Sequence, residues 1–179
     1  MKTKLQSLEI LGVLFVIIIG SIFHFVFEWS NQWLPLGAIT PVNESVWEHL
    51  KLVFWPLVFF SIIEYLLLKR EVNNFVLSKL IAISIAETTI LVSFYSYTAT
   101  LGTEILFVDI LSFIIGVVLG YLVNYKLLKF KKTPKWDMII SAIAIILLGI
   151  IFVFFTYFPP EIPLFQDPET GLYGIILNL

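Results

Sequence analysis

Five long apolar runs separated by short polar breaks set the pattern of this chain. A helix that crosses about 30 Å of hydrocarbon needs about 20 apolar residues at a rise of about 1.5 Å each. Residues 8–27, 46–68, 75–99, 105–128 and 138–158 meet that length. The pattern predicts an all-α fold: one integral membrane domain built as a bundle of about five transmembrane helices. The first run follows a basic start, Lys2 and Lys4, as a secretory leader would. It is longer than a leader's apolar core and no small-x-small cleavage pattern follows it, so it reads as the first span.

The polar breaks carry the orientation. Of the eleven Lys and Arg residues, all but Lys51 fall on one side of a five-span chain. Lys2 and Lys4 precede span one; Lys69, Arg70 and Lys79 flank the second break; Lys126, Lys129, Lys131, Lys132 and Lys135 flank the fourth. Basic residues favour the cytoplasmic side, which predicts N-terminus in and C-terminus out. The first break, with Trp29, Trp33, Pro35, Gly37 and Pro41, then faces outward. So does the Pro-rich stretch 159–179, expected to fold back over the outer mouth of the bundle with a turn at Asp167–Gly171.

Composition sharpens this picture. The 179 residues are 59% hydrophobic and 13% charged, with a mean hydropathy of +0.98; a soluble domain carries about 25% charged residues. The absence of cysteine removes disulfides, thiolate metal sites and thiol nucleophiles. A net charge of −2 without a basic patch speaks against nucleic acid. The partner classes that remain are the lipid bilayer, a lipid or small amphiphilic ligand, and further copies of the chain. Ser112, Gly116 and Gly120 form a small-residue stripe on span four that suits close helix packing. Pro56 removes a backbone donor inside span two.

Ionisable residues inside spans cost a few kcal/mol each on insertion scales and need a partner, water or a function. Pro41–Leu52, PVNESVWEHLKL, is the richest stretch. Ser45 and Glu48 fit a capping box, which accounts for part of it. The box leaves Glu44, His49 and Lys51 crowded at the same helix start. His24 and Glu28 share a face near the outer end of span one, as a capping pair or as two ligands. Asp109 lies just inside span four on the small-residue face, where His24, His49 or Lys51 would be its partner. Tyr95 and Tyr97 belong to a polar outer end of span three. Glu87 sits at mid-membrane in span three, and Glu64 is expected to pair with Lys69 or Arg70.

Brought together at the outer leaflet, these residues suggest a divalent-metal site from His24, His49 and Asp109. His49, Glu48 and Asp109 are the candidates for catalysis. His24, Glu28, Glu44, Ser45, Lys51 and Tyr95 would line the pocket. No HExxH, GxSxG, Walker or GxGxxG spacing is present, so no motif names a cofactor. PVNESVWEHLKL and the later FPPEIPLFQDPETGLYGI, Phe158–Ile175, resemble a family of small bacterial membrane proteins of unknown function. That resemblance implies a bacterial inner-membrane setting and no chemistry.

Three functions fit. The first is a membrane-embedded enzyme, or a ligand or metal site, facing outward. The second is a small transporter or channel subunit that works through Glu87. The third is a structural or assembly protein in which the polar cluster only ties down the tail.

Overall fold

The computed structural model describes residues 2–68, 71–72, 74–129 and 134–176. Five helices follow one another: α1 (Lys2–Trp29), α2 (Val46–Leu68), α3 (Phe75–Leu101), α4 (Leu106–Leu127) and α5 (Lys135–Tyr157). Each is long and apolar enough to cross a membrane. Among the described residues there is no strand, only an isolated antiparallel bridge between Gln166 and Tyr173. By length and composition this is an all-α, multi-pass membrane protein.

Small residues set the closest approaches. A Cβ on Gly116 would lie 2.8 Å from the Ala86 carbonyl oxygen, and one on Gly120 would lie 2.7 Å from that of Ala82. α4 and α3 therefore touch backbone to backbone, as small-residue packing allows in lipid. Gly20 does the same for α1 against the Leu52 carbonyl of α2. Between these contacts lies the main core, with Val16, Val53, Phe54, Leu57, Ile83, Ala86, Val117 and Phe152 fully buried.

One end of the bundle gathers the last turn of α1, the first turns of α2 and α4, the last turn of α5 and the C-terminal segment; it is called the tail end here. A 3-10 turn at Leu34–Ala38 crosses it after α1. A second, Pro163–Phe165, places Phe165 against Trp47 and Phe155, with ring centroids 4.8 and 5.2 Å apart. Asp167 Oδ1 then accepts from the N–H groups of Glu169 and Thr170 at 2.8 and 2.9 Å and so closes a turn. The opposite end is sealed by Leu5, Leu8, Leu68, Phe75 and Leu128.

One basic residue departs from its expected place. Lys79 is not a flanking cation. It is 2% exposed on the second turn of α3 and lies 2.5 Å from Glu64 Oε2. Glu64 thus pairs across helices with Lys79; its expected partners, Lys69 and Arg70, lie outside the described residues, as do Lys131 and Lys132. The contact is close but poorly aligned, and neither Glu64 oxygen makes a well-formed hydrogen bond among the described residues.

Candidate functional site

The site grows from the entry into α2. Ser45 caps the helix: the Glu48 N–H donates to Ser45 Oγ at 3.4 Å. The return arm of the capping box is shifted. The Ser45 N–H goes to Asn43 Oδ1 at 2.9 Å, and Glu48 Oε2 instead accepts from the Val42 N–H at 3.0 Å. Helical periodicity then sorts the polar residues that follow. Glu48 and Lys51, three apart, turn into the bundle, and His49 turns the other way toward α1.

The inward pair is closed. Lys51 is fully buried and ion-paired to Glu48 Oε2. Its ammonium also donates to the carbonyls of Gly37 and Thr40, each at 2.8 Å, and to Thr156 Oγ1 at 2.9 Å. Thr156 in turn donates to Glu48 Oε1 at 2.9 Å. Desolvated charges persist when they are paired and hydrogen-bonded, and this pair has partners on the ammonium and on both Glu48 oxygens. Glu48 and Lys51, expected in the chemistry and in the pocket, thus lock the Leu34–Ala38 turn, α2 and α5 together. The structure gives neither an open face.

The outward residues form a different object. His24 Nε2 lies 3.2 Å from His49 Nε2; Glu44 Oε2 lies 3.5 Å from the first and 3.4 Å from the second. His49 Nδ1 lies 2.9 Å from the Ser45 carbonyl oxygen, which only accepts, so Nδ1 carries a proton, and Nε2, which faces Glu44, must shed its own proton before its lone pair can serve a metal. A carbonyl that fixes the tautomer of a ring is the usual support behind a metal-binding histidine. Four donors around a tetrahedral ion, each about 2.0–2.1 Å from it, are separated by about 3.3–3.4 Å. The three distances measured here fall at that spacing. Side-chain exposures of 28% for His24, 30% for His49 and 41% for Glu44 leave a side of the triangle open.

The surroundings are acidic and braced by the C-terminal segment. Hydrogen bonds from His24 and His49 hold the Glu44 carboxyl far below the usual carboxylate range. The Glu44 N–H donates to Asp167 Oδ2 at 3.1 Å, and Asn43 Nδ2 donates to the Gly174 carbonyl at 2.8 Å. Asp109 is near enough to His49 to act on its charge. On the α3–α4 connection, partial desolvation and then the Asp109 carboxylate push Glu104 above the ordinary value, with Asp167 and Glu44 adding to it. Together these groups make a negative rim around the triangle.

Several expected members stand elsewhere. The partner of Asp109 is Tyr97, whose hydroxyl donates to Oδ1 at 2.7 Å and accepts from the Ile105 N–H at 3.2 Å. None of His24, His49 or Lys51 hydrogen-bonds to Asp109, and the residue completing the two-histidine set is Glu44. Tyr95 is 42% exposed and packs on Phe94, and the tyrosine that reaches Asp109 is Tyr97. Glu28 is exposed and joins none of these contacts. Glu87 is far along α3 and has an oxygen, Oε1, with no partner among the described residues. An open groove of about 410 Å³ along Leu80–Thr89 borders that part of α3 and holds none of the site residues.

With this geometry in view, the chain is an all-α protein with five helices long and apolar enough to cross a membrane. More narrowly, it is a member of the family of unknown function DUF6512, whose model matches residues 1–175. No curated protein and no solved structure matches it.

Proposed function

We propose that the protein binds one divalent metal ion through His24, His49 and Glu44, and uses the open position to activate water against a lipid or small amphiphile. The observation that carries this reading is the triangle of donor atoms at 3.2, 3.4 and 3.5 Å, with His49 oriented from behind by a backbone carbonyl. Two imidazoles and one carboxylate are a common catalytic zinc set, and they leave a fourth position for water. In this reading Asp109, held by Tyr97 through one oxygen, takes a proton from that water with the other.

The substrate class is read from the apolar surface at the same end. Phe25, whose ring centroid lies 5.0 Å from that of His24, and Trp29, Trp33, Leu106 and Phe107 are exposed apolar side chains at the tail end. Such residues suit the boundary between hydrocarbon and headgroups. An amphiphile can keep its chain in the bilayer there and present a polar head to the ion. The basic flanks support an N-in, C-out orientation, and in this reading, set in a bacterial inner membrane, the site faces outward.

The test is elemental analysis of detergent-purified protein loaded with Zn²⁺ or Co²⁺, wild type beside His24→Ala, His49→Ala and Glu44→Ala. The expected result is about one ion per chain, lost in all three variants. Asp109→Asn should keep the ion and lose hydrolysis of lipid-like esters or amides. Wild-type protein that takes up no ion sinks the reading. Retained metal with no turnover on any such substrate removes the enzyme half and leaves the binding site.

A further inference from the structure

A second polar group lies at the opposite end of the bundle, behind the seal of Leu5, Leu8, Leu68, Phe75 and Leu128. Four helices contribute to it. Glu9 of α1 is 5% exposed, Glu64 of α2 is fully buried, Lys79 of α3 is 2% exposed, and Tyr121 and Asn124 of α4 are 3% and 0% exposed. Asn124 Nδ2 donates to both Glu9 oxygens, at 2.7 and 2.8 Å. Lys79 Nζ pairs with Glu64 Oε2 at 2.5 Å and sits over the Tyr121 ring, 4.8 Å from its centroid. The Tyr121 hydroxyl presses on α1 at Gly12, three residues after Glu9, where a Cβ would lie 2.6 Å from it.

Two features of this nest do not balance. It holds two carboxylates and one ammonium, so with every group ionised it keeps an odd negative charge inside the hydrocarbon. The described charged groups of the other elements do not cancel it. Lys4 is spent on Glu71 at 2.6 Å, Lys126 of α4 and Lys129 just beyond it are exposed, with Lys129 over the Tyr125 ring, and Lys135 and Asp137 of α5 form no described ion pair. The hydrogen bonding is also incomplete. Glu64 Oε1 and Asn124 Oδ1 are buried acceptors with no donor, and Lys79 Nζ and the Tyr121 hydroxyl make no well-formed hydrogen bond, among the described residues. Native interiors rarely leave such groups unmatched.

We infer that the nest binds one exchangeable proton, shared between Glu9 and Glu64 and held against the fixed charge of Lys79. A single proton cancels the odd charge that the two carboxylates and one ammonium leave. An intramembrane ionisable group that gains and loses a proton is the element from which proton relays are built. This site stands on residues separate from the metal triangle and does not depend on it.

Infrared difference spectroscopy of the full chain in lipid nanodiscs, titrated across the neutral range, reads the proton directly. Wild type should show a carboxylic-acid carbonyl band at neutral pH that shifts in D₂O. Glu87→Gln identifies and subtracts the contribution of that separate mid-span carboxyl. Glu9→Gln and Glu64→Gln each leave one carboxylate for one ammonium, so each should abolish the remaining band. Lys79→Met leaves two carboxylates without a cation, so it should double the band. Gln nearly preserves the shape of Glu, and the wild-type measurement requires no variant to fold. A wild-type spectrum without the remaining band overturns the proposal, as does a band of full strength in both Gln variants. A band that sodium ions remove overturns it in favour of a cation site.

Discussion

Glu44 to Lys51 span little more than two turns of chain, yet they build two unlike structures. On one face, Glu48 and Lys51 are buried, paired and hydrogen-bonded to three other segments. On the other, His49 joins Glu44 and His24 with donor atoms converging on a point and about a third of each side chain open. The residue types are similar, so composition does not separate the two. Satisfaction does. A polar group that is buried and partnered from several segments holds the fold together, and one whose ligand atoms converge with part of their surface open is accessible to a ligand.

The largest effect should come from breaking the closed half. Lys51→Met strands a buried Glu48 carboxylate, and removing one partner of such a pair costs about 3–5 kcal/mol. The midpoint of thermal or denaturant unfolding in detergent should fall accordingly. Replacing both, Glu48→Leu with Lys51→Met, should recover much of that loss. A double variant as unstable as the single would mean that the hydrogen bonds to Gly37, Thr40 and Thr156 matter more than the charge balance. The open half should answer in the reverse way. His49→Ala should lower metal affinity by about 10²-fold or more, with little change in the unfolding midpoint. A large midpoint change in metal-free protein would show that His49 is part of the scaffold.

The fold was legible because apolar runs of span length leave few other solutions, and the five helices follow them. The site was legible only in part. One helix read alone shows which residues share a face, and that isolated His49 and the capping role of Ser45. It does not show what the next helix brings, so Asp109 was expected where Glu44 stands, and Lys51 was placed in the pocket that it turns away from. Glu9 and Asn124 carried no local signal. Each is a single polar residue near the end of an apolar run, where a solvated flank is the ordinary reading. Lys79 was counted among such flanks until its pairing with Glu64 became visible. Asp167 was legible as a turn residue, but its second oxygen reaches the Glu44 backbone across more than a hundred residues of chain.

That long-range brace gives an intermediate test. Asp167→Ala removes the acceptor behind the Glu44 N–H and also the turn that shapes the C-terminal segment. Outer-shell supports of metal ligands are worth about 10–100-fold in affinity. Metal titration of Asp167→Ala should show a loss in that range with the ion still bindable at high concentration. No change would mean that the two histidines alone set the position of Glu44.

The smallest expected effect falls on the residue that serves both halves at once. Ser45 caps α2 with its hydroxyl and orients His49 with its backbone carbonyl. Ser45→Ala deletes the first and keeps the second. The cap bond is long, 3.4 Å, so the cost should lie at the low end of the range for lost caps, about 0.5 kcal/mol. Metal affinity should stay within about 2-fold, because a backbone carbonyl survives any side-chain change that leaves the helix start in place. Paired unfolding and metal titrations of this one variant separate the two roles. If affinity falls more than stability does, the hydroxyl must hold the carbonyl in register. The closed and open faces would then be one mechanical unit rather than neighbours sharing a turn.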